Sequence, residues 1–213
     1  MNQQRRQEIF QRFAARDPNP KTELHYETPF ELLVAVILSA QATDASVNKA
    51  TTLLFKVANT PKKMLMLGQE GLEQYIRSIG LYHSKARHII QASAAIEKNF
   101  SGKVPHHKRD LLSLPGVGEK TANVVLNTLC EAPVIAVDTH VFRVANRTGL
   151  ARGKTVAEVE KKLMNRTPTL YLTRAHHWLV LHGRYICKAR KPLCEQCFIF
   201  DLCDYYRKER QPK

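Results

Sequence analysis

Four of the chain's five cysteines, Cys187, Cys194, Cys197 and Cys203, fall within 17 residues in the pattern C-x6-C-x2-C-x5-C. Four thiols so close in sequence, in a chain with no secretory signal and hence a reducing compartment, suit a structural zinc ion or an iron–sulfur cluster. Zinc modules usually carry two short knuckles, whereas this segment has a single C-x2-C, and the spacing alone leaves both metals open. The fifth, Cys130, ends an apolar helical pattern and reads as a small core hydrophobe. The nine histidines build no further metal site, because none of them pair at i,i+3 or i,i+4. Surface or capping roles suit most of them.

A second group of residues could act on a polyanion. Residues 111–121 read Leu-Leu-Ser-Leu-Pro-Gly-Val-Gly-Glu-Lys-Thr between two helical patterns. Pro115 ends the first, and Gly116 and Gly118 allow a tight turn whose backbone N–H groups are bare of side chains. A helix then begins, so the turn is an anion cradle suited to one backbone phosphate, although an ordinary helical hairpin would look the same. A nucleotide-binding P-loop fails on spacing. Gly153-Lys154-Thr155 has Thr148 where the motif needs glycine, and Lys120 follows Glu119. Lys120 falls in the first turn of the second helix, the unfavourable end of the dipole for a cation. That placement favours the neutral amine a nucleophile needs. Asp138, in Asp138-Thr139-His140, is a natural helix N-cap. Capping keeps it ionised, and an ionised carboxylate near a nucleophilic lysine could stabilise positive charge developing on a sugar.

The charge balance agrees with that partner. Thirty-three Lys and Arg against nineteen Asp and Glu leave +14 over 213 residues, with a pI near 9.8. Such a field concentrates polyanions. With 44% hydrophobic and 24% charged residues, the chain is ordinary for a globular protein, which excludes disorder, collagen-like sequence and a coiled-coil rod. The N-terminus lacks the apolar core of a signal peptide. The longest apolar run, Leu32–Ala40, is half the length that spans a bilayer and reads as a buried helix.

The elements that must position these residues are helices separated by Pro and Gly. The pattern predicts helices over 2–16, from Thr28 through the buried run, and over 44–56, 61–67, 69–79, 84–99, 107–113, 119–130, 139–147, 156–165 and 170–185. Thr28-Pro29-Phe30-Glu31 is a capping box with proline at the first helical position. Val134–Val137 is strand-like but too short and alone to build a sheet. The fold class is all-α.

Taken together, LPGVGEKTANVVLN, VDTHVFRVANR, the cysteine spacing, LLVAVILSAQATD (32–44) and IGLYHSKA (79–86) resemble the endonuclease III family of base-excision DNA glycosylases. The resemblance spans essentially the whole chain. It implies a helix–hairpin–helix glycosylase fold of two helical lobes: a six-helix barrel over 22–132, with the hairpin at about 107–130, and a discontinuous iron–sulfur lobe from 1–21 plus 133–213. The cysteines at 187–203 would hold a 4Fe–4S cluster. Lys120 would be the Schiff-base nucleophile and Asp138 its partner. Gly116, Val117 and Gly118 would meet phosphate, and Gln41 and Leu81 would fill the stack left by an extruded nucleotide. Asp44 and His140 would face the damaged base. Lys188, Arg190 and Lys191, between the first two ligands, would reach DNA phosphates. The implied function is removal of oxidised pyrimidines from duplex DNA, followed by β-elimination 3′ to the abasic site, by a cytoplasmic, nucleoid-associated monomer that needs no membrane. An adenine-mismatch glycosylase shares the hairpin, aspartate and cluster, but generally lacks the lysine and carries a further C-terminal domain. A non-catalytic helix–hairpin–helix module or a four-cysteine zinc protein would explain parts of the pattern, not its combination.

Overall fold

Six helices start where a short polar side chain can accept a first-turn N–H. In the computed structural model, which describes residues 1–209, these caps are Asn2, Thr28, Thr43, Thr60, Asp138 and Thr155. Each such cap contributes ~1 kcal/mol. They head α1 (Gln3–Arg16), α2 (Pro29–Leu38), α3 (Asp44–Val57), α4 (Pro61–Ile76), α8 (Thr139–Thr148) and α9 (Val156–Arg166). The remaining helices are α5 (Tyr82–Phe100), α6 (Lys108–Leu112), α7 (Glu119–Cys130), α10 (Leu172–Tyr185) and α11 (Asp204–Glu209). No strand forms among the described residues, so the all-α reading holds. The chain divides into two units, residues 23–130 and residues 1–22 with 131 onward.

The unit 23–130 is built around α2. Thr28 accepts the N–H of Glu31 at 3.2 Å, and Glu31 returns a carboxylate oxygen to the N–H of Thr28 at 3.3 Å. From Phe30 to Leu38 every residue is buried, as the apolar run requires. α3, α5 and α7 pack around it. The two helices expected over 61–67 and 69–79 are the halves of α4, broken at Gly68 (φ 71°), but the second ends early, at Ile76. Cys130 departs from expectation: it is exposed. The buried stripe of α7 runs Ala122, Asn123, Val125, Leu126 and Asn127, and the helix's last residue extends past the core.

The other unit has its own core. Ile9, Phe10 and Phe13 of α1 pack with Val141, Val144 and Ala145 of α8, Val159 and Leu163 of α9, and Trp178 and Leu179 of α10. Phe10 stacks on Tyr171 and Phe13 on Trp178, each with centroids 5.9 Å apart. Trp178 also donates its indole N–H to the carbonyl of Asp17 at 2.8 Å, which ties off the end of α1. Truncating a ring such as Phe10 to alanine in such a core costs about 3–5 kcal/mol. Val134–Val137 crosses this unit as chain outside any sheet, with Ile135, Ala136 and Val137 buried. Three histidines of α10, His176, His177 and His182, are buried rather than on the surface. α11 was not foreseen. A six-residue helix cannot stand alone. Tertiary ion pairs hold its first residue, Asp204, to Arg5 at 3.0 Å and Arg152 at 2.7 Å. Among the described residues no helix is long and apolar enough to cross a membrane.

Candidate functional site

The glycine turn joins α6 to α7 as a helical hairpin. Leu111, Leu114 and Val117 are buried and hold the turn down, and the N–H of Val117 donates to the Leu114 carbonyl at 3.1 Å. Val117 therefore shapes the turn with its amide and side chain, and the exposed backbone belongs to Gly116 and Gly118. Gly116 has φ 80°, and a Cβ there would lie 2.7 Å from the Cβ of His88 on α5. Only glycine fits that corner. The Gly118 carbonyl accepts the N–H of Ala122 at 2.9 Å, which makes Gly118 the N-cap of α7. The amides before Ala122 thus lie at the open, positive end of the helix. Lys120 is the second residue of α7 and is exposed. Its neighbour Glu119 pairs with Lys108 of α6 at 2.6 Å, a solvent-exposed bridge worth at most ~1 kcal/mol.

Gln41 (φ 57°) and Leu81 (φ 61°), both exposed side chains of the same unit, stand on left-handed backbone, as does Ser101 (φ 51°) where α5 ends. Left-handed geometry costs a non-glycine residue about 1–2 kcal/mol. Leu81 is 65% exposed and caps α5 with no side-chain hydrogen bond. An apolar residue that is both strained and solvated does nothing for stability, and such residues gather at functional sites. Asp44 opens α3 and is half-buried.

The other unit carries Asp138, His140 and the cysteines. Asp138 caps α8, accepting the N–H of Val141 at 2.7 Å, and remains half-buried. His140 Nδ1 lies 3.2 Å from an Arg143 guanidinium nitrogen. All four clustered cysteines line one small cavity. Burial pushes the Cys197 thiol up to about 11, and the charges of Cys203, Cys187 and Cys194 add to the effect. Cys203 is pushed up by burial as well. The thiols of Cys197 and Cys203 thus resist ionisation unless something positive lies among the four, and a metal centre meets that condition. Among the described residues no three ligands converge as a single ion demands. The wall of a cavity instead suits a polynuclear cluster, so these residues fit the iron–sulfur reading over zinc.

Spacing arguments overlooked the residues that surround this cavity. Arg143 donates to the carbonyls of Cys187 at 2.8 Å and Gly183 at 2.7 Å. One turn later on α8, Arg147 donates to the carbonyls of Lys188 at 2.7 Å and Ala189 at 3.0 Å, and its guanidinium lies 3.6 Å from the Cys187 sulfur. Together they clamp the start of the loop that exposes Lys188, Arg190 and Lys191. The i,i+4 arginine pair in VFRVANR was the available signal. His182 also faces the cavity, with Nε2 3.6 Å from the Cys197 sulfur. Burial, reinforced by Arg16, lowers its pKa to about 4, so it is neutral at physiological pH.

Two family models match the sequence: the HhH-GPD superfamily base excision DNA repair protein over residues 34–169, and the iron-sulfur binding domain of endonuclease III over residues 187–203. The chain is 60% identical over 198 residues to endonuclease III of Rickettsia conorii, covering 93% of this chain and 94% of the relative. It is 56% identical over 208 residues to endonuclease III of Escherichia coli, with 98% and 99% covered. Among solved structures it resembles a trapped endonuclease III–DNA covalent intermediate with TM-score 0.91 and 44% identity, covering 98% and 99% of the two chains. A thermostable thymine-DNA glycosylase, 24% identical over 96% of this chain and 98% of its own, shares the fold at TM-score 0.82.

Proposed function

Because this chain belongs to the endonuclease III family, we propose that Lys120 is its catalytic nucleophile and Asp138 the carboxylate that supports it. The protein is a base-excision DNA glycosylase with AP lyase activity, and it carries an iron–sulfur cluster. Its substrate in our reading is an oxidised pyrimidine in duplex DNA, and its place is the bacterial cytoplasm, at the nucleoid, as a monomer. The observation that carries the assignment is an exposed lysine two residues after the second of two exposed glycines, at an open helix N-terminus. A mere phosphate-binding hairpin requires the glycines but not the lysine.

In the reaction, the damaged nucleotide leaves the stack, at least cost where pairing is already weakened. Gln41 and Leu81 occupy the gap, and Asp44 and His140 face the base. Gly116 and Gly118 hold one phosphate, which sets the register of the strand. The amine nitrogen of Lys120 attacks the anomeric carbon as the bond to the base breaks and its electron pair leaves with the base. Asp138 balances the positive charge that builds on the sugar. Loss of the ring oxygen bond gives the imine. That imine acidifies the adjacent C2′ proton, whose removal expels the 3′ phosphate and cuts the strand. Cys187, Cys194, Cys197 and Cys203 would hold the cluster, which supplies a cross-link among four thiolates. That cross-link fixes the loop bearing Lys188, Arg190 and Lys191.

A duplex with one oxidised pyrimidine, assayed with and without alkali, tests the reading. Base loss exposed only by alkali reports the glycosylase step, and direct nicking reports the lyase step. Nicking of the damaged strand without alkali is expected, and no release of the oxidised base would overturn the assignment. Asp138→Asn keeps the capping geometry, since asparagine caps as well as aspartate. It removes the charge, so base release should slow by about 10–10⁴-fold, the range for one positioned group. Nicking of a preformed abasic site should suffer less, because no base has to leave. Equal losses on both substrates would mean that Asp138 serves the fold alone.

Affinity for DNA should depend steeply on salt. If about 4–6 phosphates are neutralised, log K falls against log[salt] with slope near −4 to −5. Lys191→Glu should make that slope shallower and leave lesion preference intact. A flat salt profile would contradict a role for the +14 charge in DNA binding.

A further inference from the structure

The ammonium of Lys85 is buried, and among the described residues no carboxylate pairs with it. Lys85 sits one turn into α5 and is 5% exposed. Its Nζ donates to the carbonyls of Leu38 at 2.9 Å and Ala40 at 2.6 Å. These are the last residue of α2 and the residue just before Gln41. The same residue's backbone N–H donates to the Leu81 carbonyl at 3.0 Å. One lysine therefore holds the two turns that carry Gln41 and Leu81: its amide grips the Leu81 turn and its ammonium the Gln41 turn.

The chemistry suits clamping better than simple stabilisation. α2 has no basic residue in its last turn, and Lys85 brings a cation to those carbonyls from another helix. Burial alone lowers the Lys85 pKa, so the charge is held there against the desolvation penalty. An apolar side chain would pack the same space without that penalty, but it could not bond two carbonyls in a turn that has left the helix. An ammonium on a four-carbon stem can do so.

We propose that Lys85 is a positioning residue for nucleotide extrusion, locking Gln41 and Leu81 into one rigid wedge. The proposal rests on the reading of those two residues as occupants of the vacated stack. It assigns the wedge's rigidity to a residue that touches no DNA. A loose wedge should matter only where the enzyme must part a formed pair. Misplacement by ~1 Å in a preorganised site can cost 10²-fold.

The test uses cluster-loaded full-length protein and two duplexes, one with an oxidised pyrimidine in a complete pair and one with the same lesion opposite an abasic gap. Lys85→Met should lower excision from the paired lesion by about 10- to 100-fold. On the unpaired lesion it should stay within about 3-fold of the unsubstituted enzyme. Lys85→Arg, which keeps a cation and several donors, should recover most of the paired rate. If Lys85→Met fails to fold, Lys85→Gln, which keeps one amide donor, replaces it and should show a smaller split of the same sign. A purely structural lysine would lower the melting temperature and both rates together, and that equal loss would overturn the proposal. Leu81→Ala and Gln41→Ala run beside it. If neither separates paired from unpaired lesions, the wedge reading fails and takes the proposal with it. If they separate the substrates and no Lys85 variant does, only the role given to Lys85 falls.

Discussion

Lys120→Ala is expected to bind duplex DNA and leave it uncut. The substitution removes the amine that forms the imine, and without an imine the C2′ proton is not acid enough for elimination. The expected loss of nicking is therefore complete within the assay, not a graded fall. Binding should weaken only modestly. Lys120 is one exposed cation among 33 basic residues, and a single screened phosphate contact shifts the salt slope by about one unit. Folding should be untouched, since alanine has the higher helix propensity and among the described residues no side-chain hydrogen bond is made by Lys120. Retained affinity with lost nicking separates a nucleophile from a phosphate contact, which would lose affinity first.

Cys194→Ser is expected to bleach the yellow-brown colour of the cluster and to lower thermal stability. The segment 187–203 has little regular structure, two single 3-10 turns at Cys194–Gln196 and Phe200–Leu202, and its other ties are side-chain contacts: the clamps from Arg143 and Arg147, Arg12 on Phe198 and Asp201, and Ile199 in the core. Removing one ligand leaves three thiols, and desolvation opposes the ionisation of Cys197 and Cys203. The core of α1, α8, α9 and α10 is built of aliphatic and aromatic side chains, with Cys187 and Cys197 packed against its edge, so the loss should be bounded. A staple of this kind contributes ~2–5 kcal/mol in a small domain. For a chain of this size that is a drop of roughly 5–20 °C in melting temperature. A colourless variant that melts like the unsubstituted protein would show that the four cysteines do not hold the fold. It would also leave Lys188, Arg190 and Lys191 positioned by the two arginines alone.

Most of the helices were legible because their signals are local. Thr28, Thr43, Thr60 and Thr155 each announce a start, and Gly68 marks the break in α4. The glycine turn could be read for the same reason, since Gly116 and Gly118 leave few other conformations. What stayed hidden is tertiary. α11 depends on Asp204 meeting Arg5 and Arg152, which lie far away in sequence. Cys130 looked like core because its helix is apolar, but where that helix outruns the core is a matter of packing. His182 carries no local mark of its burial against the cysteine cavity. Lys85 has no local mark that sets it apart from other lysines, and only the fold brings it to the carbonyls of Leu38 and Ala40. The left-handed backbone at Gln41 and Leu81 likewise has no sequence signature, because glutamine and leucine do not favour it.

The most direct test of Lys120 as nucleophile is borohydride trapping on duplex DNA with a single abasic site. The unsubstituted protein should form a covalent adduct in stoichiometric yield, visible as a protein–DNA band under denaturing conditions, and Lys120→Ala should form none. An adduct from Lys120→Ala at the unsubstituted yield would place the nucleophile on another amine and contradict the assignment.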